Sequence, residues 1–112
     1  MRKYQELSLE QIIEQKRVDK LSSDDFCLYA KEYGELALAG SYWVSDYPNV
    51  VEDRDIYPMD VAKQDLQLVY YGEQLIDVLS VALEEKPDAS PQNLVEALNY
   101  YNQHDNFMPF ND

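Results

Sequence analysis

The stretch YGEQLIDVLSVALEE, residues 71–85, decides the predicted fold. Its apolar residues recur three and four positions apart, which is the period of an α-helix that buries one face. These apolar residues are Leu75, Ile76, Val78, Leu79 and Ala82. Pro87 follows shortly, and a proline disfavours helical geometry in the residue before it. The stretch therefore predicts an amphipathic helix that ends before Pro87.

Two more helices are expected in the first third of the chain. Ser8 and Gln11 have the spacing of a capping box and predict a helix that ends at about residue 17. Ser22 or Ser23 could cap a second helix, with Gly34 as its natural end. The apolar residues of this second segment at helical spacing are Phe26, Tyr29, Ala30 and Tyr33.

The remaining segments complete a predicted helical bundle. Pro58 suits the first position of a short helix that ends at about residue 65, and Ser90 with Pro91 opens a last helix. Residues 36–44 stay ambiguous between helix and strand. The fold class expected is mostly α: a compact, single-domain bundle of about five helices over residues 1–112. A short β-hairpin or extended segment around 36–46 remains the alternative.

The charge of the chain is strongly acidic and unevenly distributed. The 112 residues carry a formal net charge of −13, from 22 acidic and nine basic side chains. Residues 1–20 hold five basic and four acidic side chains, so the excess of acid lies in residues 21–112. Such a field repels nucleic acid and anionic membranes, and it speeds association with a basic partner.

Composition also indicates where the protein acts. Hydrophobic residues make up 46% of the chain and ten are tyrosines, which is too apolar for a disordered acidic tail. The N-terminus MRKYQELSLEQ has no apolar run behind its basic residues, so neither a signal peptide nor a transmembrane helix is expected there. Cys27 is the single cysteine and excludes an intramolecular disulfide. We expect a cytoplasmic location.

Catalytic and metal-binding motifs are incomplete in this sequence. His104, the sole histidine, could pair with Cys27 as a base and nucleophile, but no orienting group stands beside them in the sequence. The acidic run at residues 52–55 lacks the glycine and the alternate spacing of an EF-hand loop. We therefore expect no catalytic residues, no bound metal and no cofactor, although an irregular Ca²⁺ or Mg²⁺ site stays open.

The segment between residues 45 and 58 is predicted to be a long irregular loop and the candidate binding site. Tyrosines supply large contact areas at low entropic cost, and carboxylates accept charge-assisted hydrogen bonds from lysine and arginine. Tyr42 and Trp43 adjoin the loop and belong to the same aromatic and acidic cluster. Several rings of this cluster, Trp43 above all, are expected to belong to the core. The predicted partner-binding residues are Asp46, Tyr47, Glu52, Asp53, Asp55, Tyr57 and Asp60.

A family resemblance covers the C-terminal half of the chain. The segments DIYPMDVAKQDLQLVYYGEQLIDVLSVALEEKP and SPQNLVEALNYYNQHDNFMPF resemble small acidic bacterial immunity proteins. Proteins of that type accompany contact-dependent growth-inhibition systems and related polymorphic toxins. The resemblance implies a cytoplasmic, non-enzymatic protein that neutralises one cognate toxin domain, often a nuclease. It assigns no role to an individual residue.

The leading hypothesis is thus an immunity protein that covers the basic active-site groove of a toxin, most simply as a monomer. A nuclease groove attracts phosphate and therefore also attracts an acidic protein. Two alternatives come from other classes. One is a DNA-mimic inhibitor of nucleic-acid-binding enzymes, and the other is a small metal-dependent enzyme. No direct contact with nucleic acid or membrane is expected.

Overall fold

The structure is a computed structural model that describes residues 2–17, 23–32 and 34–110. Within these ranges the chain forms six strands and four helices. The strands are β1 (Gln5–Ser8), β2 (Cys27–Ala30), β3 (Ser41–Ser45), β4 (Asn49–Val51), β5 (Arg54–Ile56) and β6 (Gln67–Tyr71). The helices are α1 (Leu9–Arg17), α2 (Met59–Lys63), α3 (Gly72–Glu85) and α4 (Pro91–His104). The fold is mixed α/β, so the prediction of a mostly α, all-helical bundle is wrong.

The strands form two separate antiparallel sheets. Four of them make one sheet in the order β1-β3-β2-β6, so β3 and β2 are its central strands. The other two, β4 and β5, pair with each other as a hairpin. The segment predicted to be a long irregular loop is therefore a β-hairpin over most of its length.

Helices cover one face of the four-stranded sheet. The inward residues of α1, α3 and α4 pack with Leu28 of β2 and with Tyr42 and Val44 of β3 in the larger apolar core. A buried hydrogen bond crosses this core, because the Tyr70 hydroxyl donates to the Leu98 carbonyl oxygen at 3.1 Å. Burial of these side chains supplies the main favourable free energy of folding.

The opposite face of the sheet carries a second, smaller core. Cys27 and Tyr29 alternate with Leu28 along β2 and point to this side, where they meet Val61 of α2 and Leu66. The half-buried rings that pack against them are Trp43, Tyr47, Tyr57 and Tyr71. The central strands are thus buried on both faces, which is unusual for an antiparallel sheet.

An irregularity in the pairing of β2 with β6 changes which core the side chains of β6 enter. Leu28 is opposite Tyr70 and Tyr29 is opposite Leu68, so Val69 is an extra residue on β6. As a result, Val69 and Tyr70 both join the helix-side core, whereas Leu68 packs against the smaller core.

The prediction of a second helix at about 23–33 is wrong, and the burial of this segment on both faces of the sheet explains the error. Phe26, Cys27, Leu28 and Tyr29 are all buried because layers cover both faces of β2. A continuous apolar run of this length cannot be told from a buried helix by periodicity alone. Ser23 accepts a hydrogen bond from the Asp25 amide instead of capping a helix. Ser22 and Tyr33 lie outside the described residues.

The segment around residues 36–46 adopts the extended alternative and contains β3 at Ser41–Ser45. This strand does not form a local hairpin. It pairs with β1 on one side and with β2 on the other, so its partners come from distant parts of the chain.

The other predicted helices are confirmed. The Ser8 hydroxyl accepts from the Gln11 amide at 3.1 Å, and the Gln11 side chain accepts from the Ser8 amide at 2.9 Å. Ser90 caps α4 and Pro91 opens it, while α2 is shorter than expected, with Pro58 just before its first residue. No helix in the described part of the chain is both long and apolar enough to cross a membrane.

The close approach of α3 to the chain before β2 yields a test of this architecture. The Gly72 amide donates to the Phe26 carbonyl oxygen at 2.8 Å, and a Cβ at this position would overlap that oxygen. We expect Gly72→Ala to lower the free energy of unfolding by about 1–3 kcal/mol in urea titrations, because backbone must move to admit the methyl group.

Gly34→Ala is the matched control for this substitution. Among the described residues, nothing lies within 4 Å of the position that a Cβ would take at Gly34, so the added methyl group meets no described atom. We expect a change of less than about 0.5 kcal/mol there. Equal stability of the two variants would contradict the described contact between α3 and Phe26.

Candidate interaction site: an exposed hairpin beside an aromatic cluster

The structure divides the seven predicted partner-binding residues into two groups. One group is tied into the fold by hydrogen bonds of its side chains: Asp46, Tyr47, Tyr57 and Asp60. The other group is exposed on the β4–β5 hairpin: Glu52, Asp53 and Asp55. Whether any of the seven contacts a partner stays a prediction, but their surroundings differ sharply.

Asp60 joins α2 to the four-stranded sheet. One of its carboxylate oxygens, Oδ2, accepts from the Trp43 indole Nε1 and from the Ser45 hydroxyl, both at 2.7 Å. Ser45 is fully buried, so its hydroxyl needs a partner inside the protein. Asp60 therefore holds a structural position between α2 and β3.

Tyr47 connects the segment after β3 to the start of α3. Its hydroxyl accepts from the Glu73 amide at 2.9 Å and donates to the Asp24 carbonyl oxygen at 3.2 Å. The Glu73 amide is one of the first-turn donors that a helix leaves unpaired, so Tyr47 acts as a remote cap. The ring stacks on Tyr71 with 5.9 Å between centroids. Burial raises the pKa of the Tyr47 hydroxyl.

Tyr57 and Tyr29 pack edge to face in the smaller core, with ring centroids 5.6 Å apart. The Tyr57 hydroxyl accepts from the Leu68 amide at 3.3 Å, which ties the chain after β5 to β6. The Tyr29 hydroxyl donates to the Asp46 carbonyl oxygen at 2.6 Å. Burial strongly raises the pKa of Tyr29, so this ring stays neutral across the physiological range.

Asp46 is held by the N-terminal segment. Its carboxylate accepts from Lys3 Nζ and from the Tyr4 hydroxyl, both at 2.7 Å, and Lys3 also contacts Asp25 at 3.2 Å. The hydrogen bond from Lys3, followed by that from Tyr4, lowers the pKa of Asp46. Sequence reasoning missed Lys3 because 43 residues separate it from Asp46 and no local pattern links them.

The hairpin turn carries two of the three exposed carboxylates. Val51 is opposite Arg54, so only Glu52 and Asp53 form the loop, with φ angles of 51° and 64°. Two left-handed residues in a two-residue loop are the geometry of a type I′ turn. Asp55 lies on β5. Within the described ranges, none of these three carboxylates has a side-chain hydrogen bond or an ion pair.

The same hairpin exposes apolar side chains that the sequence did not mark as part of the site. Among the described residues, six large hydrophobic side chains are exposed, and four of them lie between positions 50 and 59. Their exposed fractions are 70% for Val50, 53% for Val51, 47% for Ile56 and 73% for Met59. The β-branched residues Val50, Val51 and Ile56 on either side of Glu52-Asp53 were the available signal. However, β5 has only one β-branched residue, and Glu-Asp is not a typical turn pair.

The residues considered for catalysis lie apart in the fold. Cys27 is fully buried on the α2 side of the sheet, and burial raises the pKa of its thiol to about 11. His104 is exposed in the last turn of α4, which packs on the opposite face, and it contacts the Tyr100 ring at 4.2 Å between centroids. In the described ranges, no three His, Cys, Asp or Glu side chains cluster in a way that could hold a metal ion.

The structural position of Asp60 can be tested by removing its carboxylate. We expect Asp60→Ala to lower the free energy of unfolding by about 1–3 kcal/mol, because the Ser45 hydroxyl loses its acceptor inside the protein. Asp55→Ala is the control, since the exposed Asp55 should change stability by less than about 0.5 kcal/mol. Urea unfolding followed by Trp43 fluorescence measures both. If Asp60→Ala left the free energy of unfolding unchanged, the hydrogen bonds of Asp60 would not support the fold.

Comparison with known proteins assigns the chain to a family. A family model described as a domain of unknown function, DUF7716, matches residues 6–110. No curated protein and no solved structure gives a significant match. The match extends from β1 to the segment after α4, and its description names no activity or partner. Because the family model covers nearly the whole chain, the protein belongs to the DUF7716 family.

Proposed function

We propose that this protein is a cytoplasmic, non-enzymatic inhibitor of the immunity type, which binds and neutralises a basic toxin domain with nuclease activity. The observation that carries the proposal is the exposed hairpin, where Glu52, Asp53 and Asp55 have no ionic partner among the described residues. The resemblance of residues 55–110 to immunity proteins supports the same class.

Electrostatics favours a basic partner. The chain has a net charge of −13. The hairpin itself carries three of the carboxylates and one guanidinium, that of Arg54. Opposite charge on a partner accelerates encounter, and electrostatic steering raises association rates by about 10- to 1,000-fold at low ionic strength. A protein that must intercept a toxin inside its own cell benefits from a high association rate.

A nuclease groove fits this chemistry better than an arbitrary basic surface. Such a groove presents lysine and arginine to phosphates, and carboxylates can accept the same charge-assisted hydrogen bonds. Exposed carboxylates without partners in the described part of the chain keep their full charge available for these contacts. By contrast, Asp46 and Asp60 already accept hydrogen bonds within the protein, so we assign them to the support of the hairpin region.

The proposal is tested with the C-terminal domain of the protein encoded by the gene immediately upstream. The triple variant E52Q/D53N/D55N removes three charges with little change of shape. We expect it to slow association with that domain about tenfold in 50 mM NaCl, measured by stopped-flow fluorescence. The difference from the wild type should shrink in 500 mM NaCl because salt screens exposed charges.

A matched control removes three charges elsewhere. The variant D77N/E84Q/E85Q changes exposed acids on α3 and should leave the association rate within about twofold of the wild type. Equal slowing by both variants, or association that ignores salt, would contradict the proposed role of the hairpin charges. Failure of the wild type to bind the upstream domain, together with inhibition of several unrelated nucleases, would favour the DNA-mimic alternative.

A further inference from the structure

The β4–β5 hairpin is poorly supported by the rest of the fold. Each strand has three residues, and all six are exposed. A two-stranded hairpin alone is marginally stable in water, and apolar side chains clustered on a protein surface commonly mark an interaction site. Burial of this hairpin against another surface would supply the stabilisation that its own sheet lacks.

The pairing register places apolar side chains on both faces of the hairpin. Residues directly opposite each other point to the same face, and side chains alternate along each strand. Asn49 is opposite Ile56 and Val51 is opposite Arg54, so Val51 and Ile56 share one face. Val50 lies on the other face, opposite Asp55. A flat partner surface could cover only one of these faces.

Charge is concentrated at the tip of the same element. Glu52 and Asp53 form the turn, about 10 Å from the base of the hairpin if each residue of a strand advances about 3.3 Å. A tip that enters a cleft therefore brings two carboxylates to its floor, while the apolar side chains behind the tip meet its walls.

We propose that the β4–β5 hairpin inserts into a two-walled cleft of the basic partner. In this arrangement Glu52 and Asp53 meet cationic residues at the cleft floor, Val51 and Ile56 contact one wall, and Val50 contacts the other. The inference rests on the proposed function and specifies how the partner is held. Charge sets the association rate, and burial of the apolar hairpin faces sets the lifetime of the complex.

A second copy of this chain is the occupant that charge disfavours. Two molecules that each carry −13 repel each other, and juxtaposed hairpins would bring like-charged tips together. The acidic tip is complementary to a cationic cleft floor, so the occupant of this surface is a basic protein.

The test uses the same upstream toxin domain and measures dissociation rates. Two variants separate the faces: V51T/I56T changes one face, and V50T changes the other. Threonine keeps the β-branched shape and the strand preference, but it adds a hydroxyl whose burial against an apolar wall costs free energy. We expect V51T/I56T to raise the dissociation rate at least about thirtyfold and V50T about tenfold, with association rates changed less than threefold.

Controls separate binding effects from folding effects. Phe107 is an exposed ring beyond α4, and Phe107→Thr should leave the dissociation rate within about twofold of the wild type. The hairpin variants should unfold at the same urea concentration as the wild type, because the replaced side chains are exposed. Sedimentation velocity of the free wild type should show a monomer.

The outcomes distinguish this inference from the proposed function. If the complex forms but neither V51T/I56T nor V50T changes the dissociation rate, the hairpin does not hold the partner. That result contradicts this inference but not the proposed function. If only one face matters, the partner surface is flat and the cleft is wrong. A dimer that dissociates in V51T/I56T would make a second copy the occupant. Absence of any complex with the wild type would remove the proposed function itself.

Discussion

The carboxylate of Asp60 is the contact on which the arrangement of the candidate site depends. It accepts hydrogen bonds from Trp43 and Ser45 on β3 and thereby holds α2 against the face of the sheet that α1, α3 and α4 leave uncovered. Without an acceptor there, a fully buried hydroxyl would remain unsatisfied beneath the helix. The hydrogen bond from the Leu68 amide to the Tyr57 hydroxyl ties the segment between β5 and α2 to β6.

The helices could be predicted from the sequence because their signals are local. The capping box of Ser8, the cap of Ser90 and the apolar stripe of α3 each lie within a few turns of chain. The sheet could not be predicted, because its pairings join distant segments and β2 is buried on both faces. That burial removes the polar alternation by which a strand is usually recognised. The aromatic cluster that covers the second face is equally a product of long-range packing.

The candidate site could be outlined from the sequence, but its residues could not be sorted. Composition and charge drew attention to residues 45–60, where the hairpin lies. Sequence could not show that Asp46 is paired with Lys3 or that the Tyr47 hydroxyl caps α3, since those partners come from the N-terminus and from another element. Nor could it show the exposure of Val50, Val51 and Ile56, because β-branched residues more often indicate a buried strand. The distinction matters because Asp46 and Asp60 accept hydrogen bonds within the fold, whereas Glu52, Asp53 and Asp55 have no side-chain hydrogen bond or ion pair among the described residues.

The central claim, that the β4–β5 hairpin is the binding element, is tested most directly by amide hydrogen exchange of the protein, free and mixed with the C-terminal domain encoded by the upstream gene. In the free protein the amides of residues 49–56 should exchange rapidly, because both strands are exposed and the hairpin is marginal. In the complex those amides should become protected, while protection of α1 and α4 stays unchanged. Unaltered exchange at residues 49–56, with new protection confined to the helical face, would contradict the account.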